Sequence, residues 1–164
     1  MAQTQQDRPF DWRALVLAGI IAGLVYLIVE MALVPLTGLS AWAPPRMRAA
    51  IVMGPEVLTP LEVFDAGVFV LALALHLSLS IVYAALIGLF VRLQSVGMAA
   101  LIGAGFGLLL YMVNFFVFTG VFPWFAEARS WVTALSHLVF GGVAGAAFVW
   151  ISRPSEWGRP TVAS

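Results

Sequence analysis

Four long apolar runs, at residues 14–36, 66–91, 98–119 and 131–151, leave this chain few ways to fold. Each is about 20 residues or more, enough for an α-helix to cross roughly 30 Å of hydrocarbon. Lipid offers no partner to backbone N–H and C=O groups, so segments of this kind close their hydrogen bonds within helices. Composition agrees: 62% of residues are hydrophobic, 10% are charged and mean hydropathy is +1.02, whereas roughly 25% of residues in a soluble domain are charged. The expectation is an all-α membrane protein, a single domain over residues 1–164 built as a four-transmembrane-helix bundle. Residues 37–65 form its one sizeable loop, on the outer side.

Before the first run, residues 1–13 carry Asp7, Arg8, Asp11 and Arg13, unlike the basic start of a signal peptide. Gly38-Leu39-Ser40-Ala41 follows a run already long enough to span and interrupted by Glu30, so the first helix is read as an uncleaved span. Four spans put both ends on one side. With the termini cytoplasmic, Arg8, Arg13, Arg92, Arg153 and Arg159 lie inside and Arg46, Arg48 and Arg129 outside, a five-to-three bias in the expected direction. Trp12, Trp150 and Trp157 fall at one boundary and Trp42, Trp124 and Trp131 at the other, as aromatic belts do. The tail at 154–164, with Pro154, Gly158 and Pro160, has nothing apolar enough to pack and is expected to be mobile.

The outer loop is rich in proline. Pro45 can start a helix and Gly54-Pro55 stop it, so residues 46–53 predict a short interfacial helix. Such a loop can cap the outer mouth of the bundle. Thr59-Pro60-Leu61-Glu62 has the capping-box pattern, which predicts that the second long helix begins near Pro60 and stands above the membrane before entering it.

Polar side chains inside spans are costly and mark candidate sites. Comparison of the two halves of the chain arranges them. Gly19 and Gly23 precede Glu30 as Gly103 and Gly107 precede Asn114, at identical spacing and on one helical face. His76 and His137 each lie sixteen residues before an arginine, Arg92 and Arg153, and Ser80 and Ala84 follow the first histidine where Gly141 and Gly145 follow the second. Two helical hairpins related as a weak internal repeat would bring Glu30, His76, Asn114 and His137 to one level. At about 1.5 Å per residue, each histidine lies roughly 24 Å from its cytoplasmic arginine, in the outer leaflet. Tyr111, one turn from Asn114, can add a hydroxyl, and Ser80 and Tyr83 share a face with His76.

Several chemistries are excluded and three remain. Without cysteine there is no disulfide, thiolate metal site or thiol nucleophile. A net charge of zero gives no argument for nucleic acid or for a polybasic lipid-binding surface, and no nucleic acid is expected among the partners; no nucleophile-elbow, zinc-protease or phosphate-loop motif occurs. The plainest reading makes the polar layer interhelical glue, with Glu30 hydrogen-bonded to a histidine and Asn114 fixing the other. The second makes it a relay or sensor for a proton or small solute. The third makes His76 and His137 axial ligands of a haem; no other cofactor and no metal is expected, since Glu-x-x-His is absent. The expected partners are the lipid bilayer and other membrane proteins or a second copy.

His76-x-x-x-Ser80-x-x-Tyr83-Ala84, a glycine-rich third span, Pro123-Trp124-Phe125 and then Ser136-His137-Leu138 resemble the YagU-type bacterial inner-membrane proteins. The resemblance covers about the last two-thirds of the chain by motif order. Helix 1 and the proline-rich loop are less well matched, so Glu30 is not carried over. What the resemblance implies is a small bacterial inner-membrane protein of no established activity, with His76 and His137 at family-like positions; the expected role is that of a non-enzymatic accessory or stress-related membrane component.

Overall fold

The computed structural model describes residues 11–153, and among these every regular element is a helix. Four stretches are long and apolar enough to cross a membrane: Trp12–Thr37, Ala66–Val91, Val96–Gly120 and Trp131–Ile151. We label the helices α1 (Trp12–Leu33), α2 (Ala43–Met53), α3 (Ala66–Val91), α4 (Val96–Met112) and α5 (Trp131–Ile151). The tail at 154–164 lies outside the described residues.

Each long helix starts where a side-chain oxygen accepts a first-turn N–H, the usual remedy for orphan donors at a helix start. Asp11 accepts from Ala14, Asp65 from Val68, Ser95 from Met98 and Ser130 from Thr133. The expected start of α3 near Pro60 is therefore corrected to Ala66. Thr59 instead ends a short 3-10 turn, Pro55–Leu58, in extended conformation. Arg46 accounts for this: its Nε donates to Val63 O at 2.8 Å and one terminal nitrogen to Val57 O at 2.7 Å, which ties the 3-10 turn and the residues after it to α2 ahead of α3. The short helix α2 also begins earlier than expected, at Ala43, and most of its residues are buried, Arg46 and Met47 among them.

The long helices pack in the spatial order α3, α1, α5, α4, with α5 also touching α3. Contact is most extensive between α4 and α5, where a Cβ added at Gly103 or Gly107 would overlap the backbone carbonyl of Gly141 or His137. Small residues let the two backbones meet, as in other close membrane-helix pairs. Between α3 and α4 the packing is sparse. That seam is the loose side of the bundle.

The span expected as one helix over 98–119 is not regular. After Met112 it widens into a π-turn at Val113–Val117 and tightens into a 3-10 turn at Phe118–Gly120. Single π-turns inside helices recur at functional sites. Asn114 lies in this one. Arg129 fastens it, donating from Nε to Phe115 O at 2.6 Å and from a terminal nitrogen to Thr119 Oγ1 at 2.9 Å.

Candidate functional site: a roofed chamber

The polar residues of three long helices and the π-turn converge beneath α2. Tyr26 and Glu30 are one turn apart on α1, and the Tyr26 hydroxyl donates to Glu30 Oε1 at 2.9 Å. The other carboxylate oxygen accepts from Arg48 of α2. The expected bond between Glu30 and a histidine is thus not made, because the carboxylate is taken by a cation from the loop. Glu30 is 2% exposed, and an anion buried that deeply requires a partner. Arg48 also sits over the Tyr26 ring, 5.4 Å from its centroid. Burial opposes the charge on Arg48, but the adjacent Glu30 carboxylate more than restores it, and its pKa lies above the ordinary guanidinium value.

Each histidine is oriented by a backbone carbonyl. His76 Nε2 lies 2.9 Å from Gly23 O, and His137 Nδ1 lies 2.8 Å from Thr133 O. A carbonyl only accepts, so those nitrogens carry hydrogen and the opposite ring nitrogens offer lone pairs in the neutral imidazole. His137 Nε2 meets the Asn114 amide nitrogen at 3.4 Å, and Tyr83 donates to Asn114 Oδ1 at 3.3 Å. The Ser80 hydroxyl turns back to the carbonyl of His76 at 2.7 Å. Tyr111 contributes its ring rather than its hydroxyl: the ring stacks on Phe115 and meets His137 edge-on, and no hydrogen bond engages its oxygen among the described residues.

These groups line a cavity of about 270 Å³. Its roof is Met47, Arg48 and Ile51 of α2, its back wall Tyr26, His76, His137 and Phe140, and its far side Asn114 and Phe115. Trp124 Nε1 donates to Met47 O at 3.0 Å, tying the roof to the turn before α5. The cavity also reaches Leu79 of α3 and Phe118 beyond α4, which are 42% and 45% exposed and stand on either side of the loose seam. The chamber is therefore a mostly apolar hollow into which a few polar groups converge, with an apolar, outward-facing edge.

The Tyr26 ring contacts both imidazoles, with centroids 5.1 Å from His76 and 5.0 Å from His137. A porphyrin ligated by both would have to displace it. Among the described residues no group of three His, Asp or Glu is placed to hold a metal ion.

Tyr26 and Arg48 were not among the residues singled out from sequence. Tyr26 was legible in principle, four residues before an intramembrane acid and hence on its face. For Arg48 the only signal was that a buried carboxylate needs a cation and that the neighbouring loop holds two, Arg46 and Arg48.

Comparison with protein-family models, with curated proteins and with solved structures found no match to this chain.

Proposed function

We propose that this chain is a small polytopic protein of the bacterial inner membrane, with both termini cytoplasmic, and that it acts as a non-enzymatic accessory component. Its working part is the chamber beneath α2, which takes up a small hydrophobic molecule sideways from the bilayer. The observation that carries this reading is the combination of a mostly apolar cavity, into which a few polar groups converge, with a sparse α3–α4 seam edged by exposed Leu79 and Phe118. Ligand sites are commonly mostly apolar hollows with a few convergent polar groups, often between helices.

A binding role fits the side chains better than a reaction. The Ser80 and Ser136 hydroxyls donate to carbonyls of their own helices, at 2.7 and 2.9 Å. Neither stands poised against a histidine as a nucleophile would. Passage of a proton or solute is less well supported: Glu30 is committed to Arg48, and the inner half is filled by Leu15, Ile87, Val91 and Phe148.

Two finer features of the architecture are supported by the packing. Gly23 meets Ser80 and Gly107 meets Gly141; Ser80 and Gly141 each stand four residues after a histidine. Both hairpins thus join at matching positions, and both histidines touch the one Tyr26 ring, which favours a repeat with its axis along the bilayer normal. Val52, Met53, Val63 and Phe64 are about half exposed or more, which favours placing the end of α2 and the following loop against the outer interface.

Photolabelling tests the sideways entry. In proteoliposomes containing a phospholipid with a diazirine at its chain terminus, Phe115 and Phe140 should be labelled as well as lipid-facing residues. Phe115 and Phe140 are 6% and 3% exposed and line the chamber. Label confined to outward-facing residues such as Val70 and Leu101 would reject the reading.

A further inference from the structure

Resting on the chamber reading, we infer that the occupant is a neutral molecule with a hydroxylated head and a long apolar tail, its hydroxyls donating to His76 and His137. Charge comes first. Glu30 and Arg48 neutralise each other across the roof, so the chamber holds no uncompensated charge with which to recruit an ion. A charged head would lose its hydration there without gaining a counterion.

Hydrogen-bond polarity then selects among neutral heads. With Nε2 of His76 turned to Gly23 and Nδ1 of His137 turned to Thr133, the remaining ring nitrogens are acceptors. The Glu30 carboxylate is engaged by Tyr26 and Arg48 and hydrogen-bonds neither ring, so no ion pair claims either imidazole. His76 Nδ1 has no hydrogen-bond partner among the described residues, and His137 Nε2 has only the 3.4 Å approach of Asn114. Under-used acceptors on a cavity wall are best satisfied by an O–H donor. A head carrying carbonyls alone would set acceptor against acceptor.

Size and exit complete the description. About 270 Å³ lies just below the common range of ligand pockets, roughly 300–1,000 Å³, which suits a head group with its chain outside. The chain can leave between Leu79 and Phe118, whose exposed apolar surfaces flank the seam. A reduced quinone and a diacylglycerol share this chemistry, and paired probes separate them.

The experiment measures equilibrium binding of four probes to the full-length protein in detergent micelles. Decylubiquinol and decylubiquinone share ring and tail and differ in two O–H groups; 1,2-dioctanoylglycerol and its acetate ester differ in one. The hydroxylated member of at least one pair should bind about tenfold tighter, the value of roughly one hydrogen bond. Preference in the quinol pair identifies an aromatic head, and preference in the glycerol pair an aliphatic one. In His137→Leu, and separately in His76→Leu should the first variant not fold, that preference should shrink toward one. Equal binding within both pairs would overturn the inference and leave the chamber reading standing. Absence of saturable binding by all four would overturn it too, while the photolabelling of Phe115 and Phe140 decides the chamber reading independently.

Discussion

The guanidinium of Arg48 closes on the carboxylate of Glu30, joining the roof helix to the first span across a separation of eighteen residues. The pair is enclosed, with side chains 14% and 3% exposed, so its two members are not equivalent to a surface ion pair. Removing one leaves the other charged in a place that cannot solvate it. Arg48→Met should therefore destabilise the protein by about 3–5 kcal/mol, the range for breaking a buried pair. Glu30→Gln combined with Arg48→Met should recover much of that loss, because no charge is stranded. SDS titration in mixed micelles, followed by circular dichroism, measures both. A double variant as unstable as Arg48→Met alone would show that the roof is held by something other than this charge pair.

The same pair sets an expectation for alkaline pH. The folded-state pKa of Arg48 is raised by Glu30 above the value it has when unfolded. For a cation shifted in that direction, the stabilisation is fully present below the unfolded pKa and is lost only as pH rises through the still higher folded value. Between neutrality and about pH 10, far below the ordinary guanidinium range, Arg48 should contribute no loss of stability. The check is the difference in unfolding free energy between wild type and the Glu30→Gln, Arg48→Met double variant across that interval. A difference that falls steadily with rising pH would contradict the assignment.

Close packing of α4 on α5 makes two glycines of one helix behave differently. A Cβ on Gly107 would overlap the carbonyl of His137, whereas a Cβ on Gly105 would meet nothing within 4 Å. Gly107→Ala should cost about 1–3 kcal/mol or more, as overpacking does, and should disturb the contact between His137 and Asn114. Gly105→Ala should be neutral or stabilising by up to about 1 kcal/mol, since alanine narrows the unfolded ensemble at a compatible site. Unfolding measurements on the two variants give the comparison directly. Equal effects would mean that the helices do not approach so closely.

Much of this arrangement was legible because lipid permits so few alternatives. The four long helices follow from apolar length. The meeting of Asn114 with His137 follows from helix faces set by Gly107 and its neighbours, whereas Tyr26, which lies against both histidines, was not singled out. What escaped the sequence depends on contacts between distant segments. Thr59 and Asp65 both satisfy the rule for a helix cap, and Arg46, holding the carbonyls of Val57 and Val63, decides for Asp65. The π-turn around Asn114 carries no proline or glycine to announce it; the Arg129 bond to Phe115 O that fastens it spans fourteen residues. Arg48 looked like one more outer-loop charge until the loop folded over Glu30.

Tyr26 bears on the question of haem. Its ring lies against His76 and His137 at almost equal distances, 5.1 and 5.0 Å, and its hydroxyl is held by Glu30 at 2.9 Å. Swinging the ring aside would break that hydrogen bond and leave the buried carboxylate with Arg48 alone, a change costing on the order of 1–3 kcal/mol. His76 would also have to surrender the Gly23 carbonyl for its Nε2 to reach an iron. Haem titrated into the purified protein should therefore give the spectrum of haem in empty micelles. A shifted Soret band that disappears in both His76→Ala and His137→Ala would show that the two imidazoles can part from Tyr26 and take the iron between them.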